Sequence, residues 1–211
     1  MYQPPAFREE RVEALHALMR AHPLATLVIS GPTGIEANHL PLLLHDRGSG
    51  DACLSGHFAK GNPLLRALEE ARGGLPALAV FHGPEHYVSP SWYPSKQQHG
   101  KAVPTWNYAV VHAHGVLRPM EKGESLRAHL DALVAGQEAG RSPPWSPKDA
   151  PVEFIAKMMK GIVGFNFEID RLEGKWKLGQ NRSAEDRAGV IRGLAGEEDA
   201  GAADLAAMMP K

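Results

Sequence analysis

This chain of 211 residues has a single cysteine, Cys53, so no intramolecular disulfide can form. With no leader-type N-terminal segment either, the sequence predicts a cytoplasmic protein. A reactive thiol needs a base and an electropositive setting. Cys53 sits in DACLSGH with His57 four residues further along an apparent strand, and reads as a plain buried cysteine. No apolar run approaches the roughly 18 residues of a membrane span. Charge of one sign is also lacking. With 23 Lys and Arg against 24 Asp and Glu the formal net charge is -1, so there is no global attraction to nucleic acid, and a DNA role needs a local basic patch. The GxxxxGK[ST] phosphate loop and the GxSxG nucleophile elbow are missing. So are an internal repeat, a defensible helix-turn-helix and a βαβαβ rhythm.

Hydrophobic and charged contents of 43% and 22% are those of an ordinary globular protein. Helical spacing of Val12, Leu15, Leu18 and Met19 predicts a helix over 7–21, mixed in charge because of Glu9, Glu10 and Glu13. Strands are expected at 24–30 and 35–44 around the turn Gly31-Pro32-Thr33-Gly34, and at 52–58 after the turn 46–50. Asn62-Pro63 opens a short helix that Gly73-Gly74 closes. Further strands are expected at 76–81, 105–117 and 164–172, and helices at 122–139 and 152–160, the latter turning Phe154, Ile155 and Met158 or Met159 inward. The segment 140–151 is a proline-rich surface loop. Ser183 with Asp186 resembles a capping box before a helix ending at Leu194. The domain is expected to span 1–194, with 195–211 a flexible or helical tail. Strands at hairpin spacing with helices between them predict an α+β fold around an antiparallel barrel.

Two blocks carry the chemistry. In the first, Tyr87, Trp92, Tyr93, Trp106 and Tyr108 crowd into about a tenth of the chain, interleaved with Ser, Pro, His and Lys. Such a mixture suits a flat ligand that stacks while its polar edges are held, and equally a sealed subunit interface. The second, KWKLGQNRSAEDR from Lys175 to Arg187, sets the donors Gln180, Asn181 and Arg182 after an aromatic strand end. These suit flavin carbonyls or phosphate oxygens, or a polar loop capping the last helix. The turn GHFAKGNP, 56–63, leads from a strand into a helix start, where free amides beside Lys60, with a further donor in His57, suit an anion. The alternative is a capped helix with a solvated lysine. His39, in an otherwise apolar strand, reads as a hydrogen-bonded core residue. His82 and His86 flank a Gly-Pro turn. His112 and His114 share a strand face without a ligand partner at metal spacing, so no metal is expected.

Taken together these stretches resemble the PaiB-like family of FMN-binding proteins and negative transcriptional regulators. The matching segments are Met1-Tyr2-x-Pro4-x-x-Phe7, His39-Leu40-Pro41-Leu42, GHFAKGNP, FHGPEHYVSPSWYPSK, VPTWNYAVVHAHG and GKWKLGQNRSAEDR, in order from Met1 to about Leu194. One departure is Gly179, where the family pattern has Ser. The resemblance implies a split β-barrel of the pyridoxamine-phosphate-oxidase type with peripheral helices. It also implies a homodimer and FMN at the subunit interface. It places the phosphate at His57 and Lys60, with Thr26 and His39 on the neighbouring hairpin. Trp106, Asn107, Gln180, Asn181 and Arg182 would surround the ring, from either subunit. The implied role is repression of transcription, with DNA association weak or indirect. The alternatives are an FMN-dependent oxidoreductase of a small molecule and a haem-binding split barrel.

Overall fold

The computed structural model describes residues 1–31, 34–48, 51–121 and 123–210. The N-terminal helix starts later than its periodicity predicts. Pro5–Phe7 is one 3-10 turn, Arg8–Glu9 is strand β1, and helix α1 spans Val12–Ala21. The cause is local. The Glu9 carboxylate accepts from the Arg11 backbone N–H at 2.9 Å and from its guanidinium, which holds Arg11 in the extended conformation of the N-cap and keeps the helix from starting earlier.

Strands β2 (Leu24–Gly31) and β3 (Gly34–Pro41) form the expected hairpin, with Leu24 opposite Pro41 and Gly31 opposite Gly34. Pro32 and Thr33 of its turn lie outside the described residues. The single strand expected over 35–44 is broken at Leu42, whose side chain is buried and whose N–H donates to the Pro23 carbonyl at 2.8 Å. A new strand, β4 (Leu43–Gly48), follows and pairs with β5 (Asp51–Ala59). Asp46, Arg47 and Gly48, expected in a turn, therefore continue a strand, while Ser49 and Gly50 lie outside the described residues.

Helix α2 (Leu64–Glu70) starts where predicted, and the Asn62 side chain accepts from the Leu64 N–H at 2.9 Å. Strand β6 (Leu75–Val88) runs straight through Gly83-Pro84, where a turn was expected. A Cβ at Gly83 would stand 2.7 Å from a Leu18 methyl, so the glycine serves close packing of the strand on α1. Then come α3 (Pro94–His99), β7 (Thr105–Pro119), α4 (Glu124–Glu138), α5 (Val152–Met159) and β8 (Ile162–Lys177). Lys122, expected to open the fourth helix, lies outside the described residues. On α5 the inward expectation fails for Phe154, which is 52% exposed; of the two alternative methionines, Met158 is 48% exposed and Met159 half-buried. The loop before it contains a 3-10 turn, Pro147–Asp149, closed by a Ser146/Asp149 capping box.

Helix α6 (Ala184–Ala195) is capped by the Ser183 hydroxyl, but the second half of the predicted box is diverted. The Asp186 carboxylate accepts instead from the N–H and hydroxyl of Ser95, at 3.1 and 2.8 Å. The tail forms α7 (Ala200–Met208), capped by Asp199, burying Ala202 and Leu205 and packing on α6.

The strands form one eight-stranded sheet in the order β3-β2-β6-β7-β8-β5-β4, with β1 on β8; β2 pairs antiparallel with both β3 and β6, and β5 with both β4 and β8. The chain divides into two compact units, Met1–His22, Phe81–His112 and Leu172–Lys211 in one, Pro23–Val80 and Ala113–Arg171 in the other. The first has a core that includes Leu15, Met19, Phe81, Val111, Leu178 and Leu194. In it Gly189 and Gly193, one turn apart on α6, let the Trp92 backbone and indole press against the helix. A Cβ there would meet Trp92 atoms at 2.1 and 2.2 Å. The second unit is built on Leu27, Leu54, Leu64, Phe165 and Phe167, and alternation along β2 buries Ala25, Leu27 and Ile29 while Thr26 and Val28 take the other face.

Candidate functional site

In the second unit the hairpin register sets Thr26 opposite His39, and their side chains hydrogen-bond at 3.2 Å between Oγ1 and Nδ1. His39 is exposed, not the core histidine that its apolar neighbours suggest, because its position in the alternation turns it to the outer face. Next to it, Asn38 accepts from the Asn62 amide at 2.6 Å. That bond ties the hairpin to the 56–63 segment, which carries His57 and Lys60. The corner where the hairpin meets this segment thus carries a hydroxyl and an imidazole, Thr26 and His39, on one face of the hairpin, and through the Asn38–Asn62 bond on the other face it adjoins the turn bearing the Lys60 ammonium, groups of the kind a phosphate monoester takes.

The free amides expected at this helix start are largely spent. The Lys60 N–H donates to the Gly161 carbonyl at 2.9 Å, the Asn62 N–H to Ala59, the Leu64 N–H to the Asn62 side chain, and the Leu65 and Arg66 N–H groups to Asn62 and Pro63. An anion in this corner is therefore held by side chains. Lys60 also lines an apolar cavity of about 420 Å³ with Leu65, Leu68, Met120, Leu126 and Ile162.

His57 enters a different arrangement. Its Nδ1 lies 3.1 Å from Nε2 of His129, whose Nδ1 lies 2.8 Å from the Ser55 hydroxyl, which in turn lies 2.7 Å from Nε2 of His45. Burial, then the neighbouring His57 and His45, push the His129 imidazole down to about 4. Burial also lowers His57, and burial followed by Arg47 lowers His45. His45, Ser55 and His129 were not foreseen. The faint signal was a histidine on the apolar side of the α4 pattern, three residues from Leu126; the pairing of β4 with β5 was needed to supply the rest. Cys53, on β5, is buried, and burial raises its thiol, in keeping with an inert core residue.

In the first unit the aromatic block and the second polar block meet. Trp106 is 53% exposed, with Tyr87 edge-on to it at 6.2 Å. Lys175 lies over the rings of both Tyr2 and Tyr108, and Arg182 over Tyr93 at 5.1 Å. The Lys177 ammonium donates to the Thr105 hydroxyl and the Trp106 carbonyl, and burial, then Lys175 and Arg182, lower its pKa. The result is a cationic surface faced with aromatic rings, chemistry that suits the electron-rich edge of a planar heterocycle.

The predicted ring residues differ in their freedom. Trp106 and Asn181 are exposed, whereas Asn107 is buried. The Gln180 amide is committed to its own loop, accepting from the Leu178 N–H at 2.8 Å and donating to the Trp176 carbonyl at 2.6 Å. Gly179 precedes it with φ at +77°, a left-handed conformation that glycine adopts without strain. Lys175, Lys177 and Tyr2 were not singled out from sequence, because their convergence depends on β1, β7 and β8 lying as they do.

Residues 1–171 match the family described as Putative FMN-binding domain. The chain is 32% identical over 209 residues to the Protease synthase and sporulation protein PAI 2 of Bacillus subtilis, covering 99% of this chain and 96% of that relative. It is 35% identical over 226 residues to an uncharacterized protein of Emericella nidulans, covering 92% and 90%. Among solved structures, the FAD and heme binding protein from Mycobacterium smegmatis matches with a TM-score of 0.60 at 21% identity over 90% of this chain and 80% of that one. The flavocytochrome Anf3 from Azotobacter vinelandii matches at 0.58 and 16%, over 86% and 75%. The protein belongs to the FMN-binding-domain family. The PaiB-like resemblance is borne out, the fold is an antiparallel split barrel with flanking helices, and FMN is the cofactor that the family brings.

Proposed function

We propose that the protein is a homodimeric FMN-binding regulator that represses transcription. The observation that carries the FMN part is the corner in the second unit. The Thr26–His39 pair offers a hydroxyl and an imidazole, and the segment tied to the same hairpin through Asn38 and Asn62 brings Lys60, the donor types that a phosphate takes. His57 offers its Nε2, a donor when the ring carries its hydrogen there, since its Nδ1 is engaged with His129. Trp106, Asn107, Gln180, Asn181 and Arg182, of the same protomer or its partner, surround the isoalloxazine. Trp106 supplies a face for stacking, Arg182 a cation for the pyrimidine edge, and Gln180 holds the loop that carries its neighbours. When bound, FMN supplies a redox-active ring. The likeness to a Bacillus protein named for protease synthase and sporulation supports a role in controlling gene expression. With a net charge of -1 the chain acts on DNA weakly or through a partner.

The test is a fluorescence titration with FMN, with riboflavin and haem alongside. Saturable FMN binding with quenched flavin fluorescence, and much weaker riboflavin binding, is expected, because the phosphate contributes the charged contacts. Equal affinity for FMN and riboflavin removes the phosphate corner, and haem binding without FMN binding overturns the flavin reading.

A further inference from the structure

The side chains of His45, Ser55, His129 and His57 are linked in series by contacts of 2.7, 2.8 and 3.1 Å, with Ser55 and His129 buried, His57 half-buried and His45 at the exposed end. Ser55 and His129 are 2% and 4% exposed, so water reaches them only from the cavity beside His45 and is a poor substitute for a missing imidazole partner. Each neutral imidazole has one donor and one acceptor nitrogen, and the hydroxyl has one hydrogen. The chain is therefore fully bonded in only two ways. In the first polarity His57 Nδ1–H donates to His129, His129 Nδ1–H to Ser55, and Ser55 O–H to His45. In the second every hydrogen points the other way, and His57 carries its hydrogen on Nε2. Any other pattern faces two acceptors, or leaves the hydroxyl hydrogen with neither nitrogen to go to.

An added proton obeys the same rule. A proton on His57 requires the first polarity and a proton on His45 the second. With both ends charged, Ser55 accepts from both sides and its own hydrogen loses both imidazole partners. The His45 end opens on a cavity of about 720 Å³ that Ser55, His129, Arg118, Asn166 and Glu168 also line. The charged and titratable groups facing the chain are Arg47 of β4, which pairs with Glu168 of β8 at 3.1 Å, Cys53 of β5, and Arg118 and Glu121 at the end of β7; on α4, Arg127 and Asp131 pair with each other at 2.9 Å.

We propose that these four residues form one reversible hydrogen-bond relay, taking up a single proton at a time, through which the occupant of the cavity beside His45 sets the ring nitrogen on which His57 carries its hydrogen. An occupant that donates to His45 Nδ1, such as an amine or a hydroxyl, selects the second polarity and turns His57 Nε2 into a donor. On the FMN reading that nitrogen then serves a phosphate oxygen, so the cavity is an effector site for the cofactor corner. This last step rests on the FMN reading, whereas the relay does not. Ser55 acts as a conductor, because its oxygen is shared by two imidazoles and has no free direction for attack on a substrate.

The experiment is histidine-ring 15N NMR on the full chain, titrated with pH, and then with inorganic phosphate at neutral pH. In the unaltered protein His45 and His57 should share one proton before a second is taken up. In Ser55→Ala, which removes one oxygen, the two should titrate independently, with His57 binding its proton about tenfold more tightly. His45→Ala, at the exposed end, removes the competing site by a different route and should also release His57. Phosphate should move His57 toward the Nε2–H form, with His45 following in the unaltered protein but not in Ser55→Ala. An identical His57 titration with and without the Ser55 hydroxyl overturns the relay. If Ser55→Ala releases His57 but phosphate leaves it unmoved, the relay stands and the phosphate contact of His57 falls.

Discussion

The His129 imidazole makes the stability of this protein depend on pH in a way that can be worked out from the structure. Helix α4 is 15 residues long, yet Leu126 and His129 are its buried residues. His129 docks the helix by spending both ring nitrogens on β5, at Ser55 and His57. Its burial, with His57 and His45 beside it, lowers its pKa from 6.5 to about 4. As pH falls below 6.5 the unfolded chain takes up a proton that the folded chain refuses. The contribution of His129 is thus fully present above about pH 6.5 and is lost as pH falls through about 4. A difference of some two and a half units corresponds to about 3 kcal/mol, a large share of the stability of an ordinary domain. The comparison is His129→Gln, which keeps a hydrogen-bonding side chain but does not titrate. Urea unfolding at pH 7.5 and 4.5 should show that the unaltered protein loses about 2–3 kcal/mol more than the variant, a further fall in midpoint of roughly 1–2 M. The carboxylates are present in both proteins, so their titration largely cancels. Parallel pH profiles would refute the reasoning and show that the buried imidazole is protonated without cost.

Three further outcomes follow from named contacts. Lys60→Ala should weaken FMN binding about ten- to hundred-fold and leave riboflavin binding unchanged, read by flavin fluorescence; an unaltered FMN affinity removes Lys60 from the site. Gly193→Ala puts a methyl group 2.2 Å from the Trp92 indole, where α6 and the ring cannot both stay, and should cost about 1–3 kcal/mol by chemical unfolding with a shift in Trp fluorescence. Asp186→Ala strands the N–H and hydroxyl of Ser95, which it now accepts at 3.1 and 2.8 Å. It should destabilise by about 1–3 kcal/mol, more than Ser183→Ala, which removes a single capping bond worth about 1 kcal/mol.

How much could be read before the fold was known varies by element. The hairpin of β2 and β3 and the cap at Asn62 were legible, because turn chemistry and capping act over two to four residues. The break at Leu42 was not, since an apolar residue in an apolar strand gives no local hint that its N–H will serve Pro23 instead of a neighbouring strand. The same holds for Asp186. Its spacing from Ser183 is that of a capping box, but Ser95, far off in sequence, offers it two donors. Of the candidate site, Lys60 was named from its turn and Thr26, His39 and Trp106 through the family resemblance, whereas Ser55 and His129 were passed over as ordinary strand and helix residues.

What the sequence by itself determined was everything carried by period, composition and short motifs: an α+β antiparallel fold, the absence of a disulfide, the family, and the two blocks rich in donors and rings. Tertiary structure alone decided which donors remain free. The amides of the 60–66 segment look available on paper and are consumed by Gly161 and the helix itself. Gln180 looks like a ligand residue and is spent on its own loop. Three histidines and a serine scattered from His45 to His129 become one chain of hydrogen bonds with a buried centre. Local pattern fixes where a side chain points along its own element, but a hydrogen bond is made between two elements, and only their packing says which partner each polar group finds.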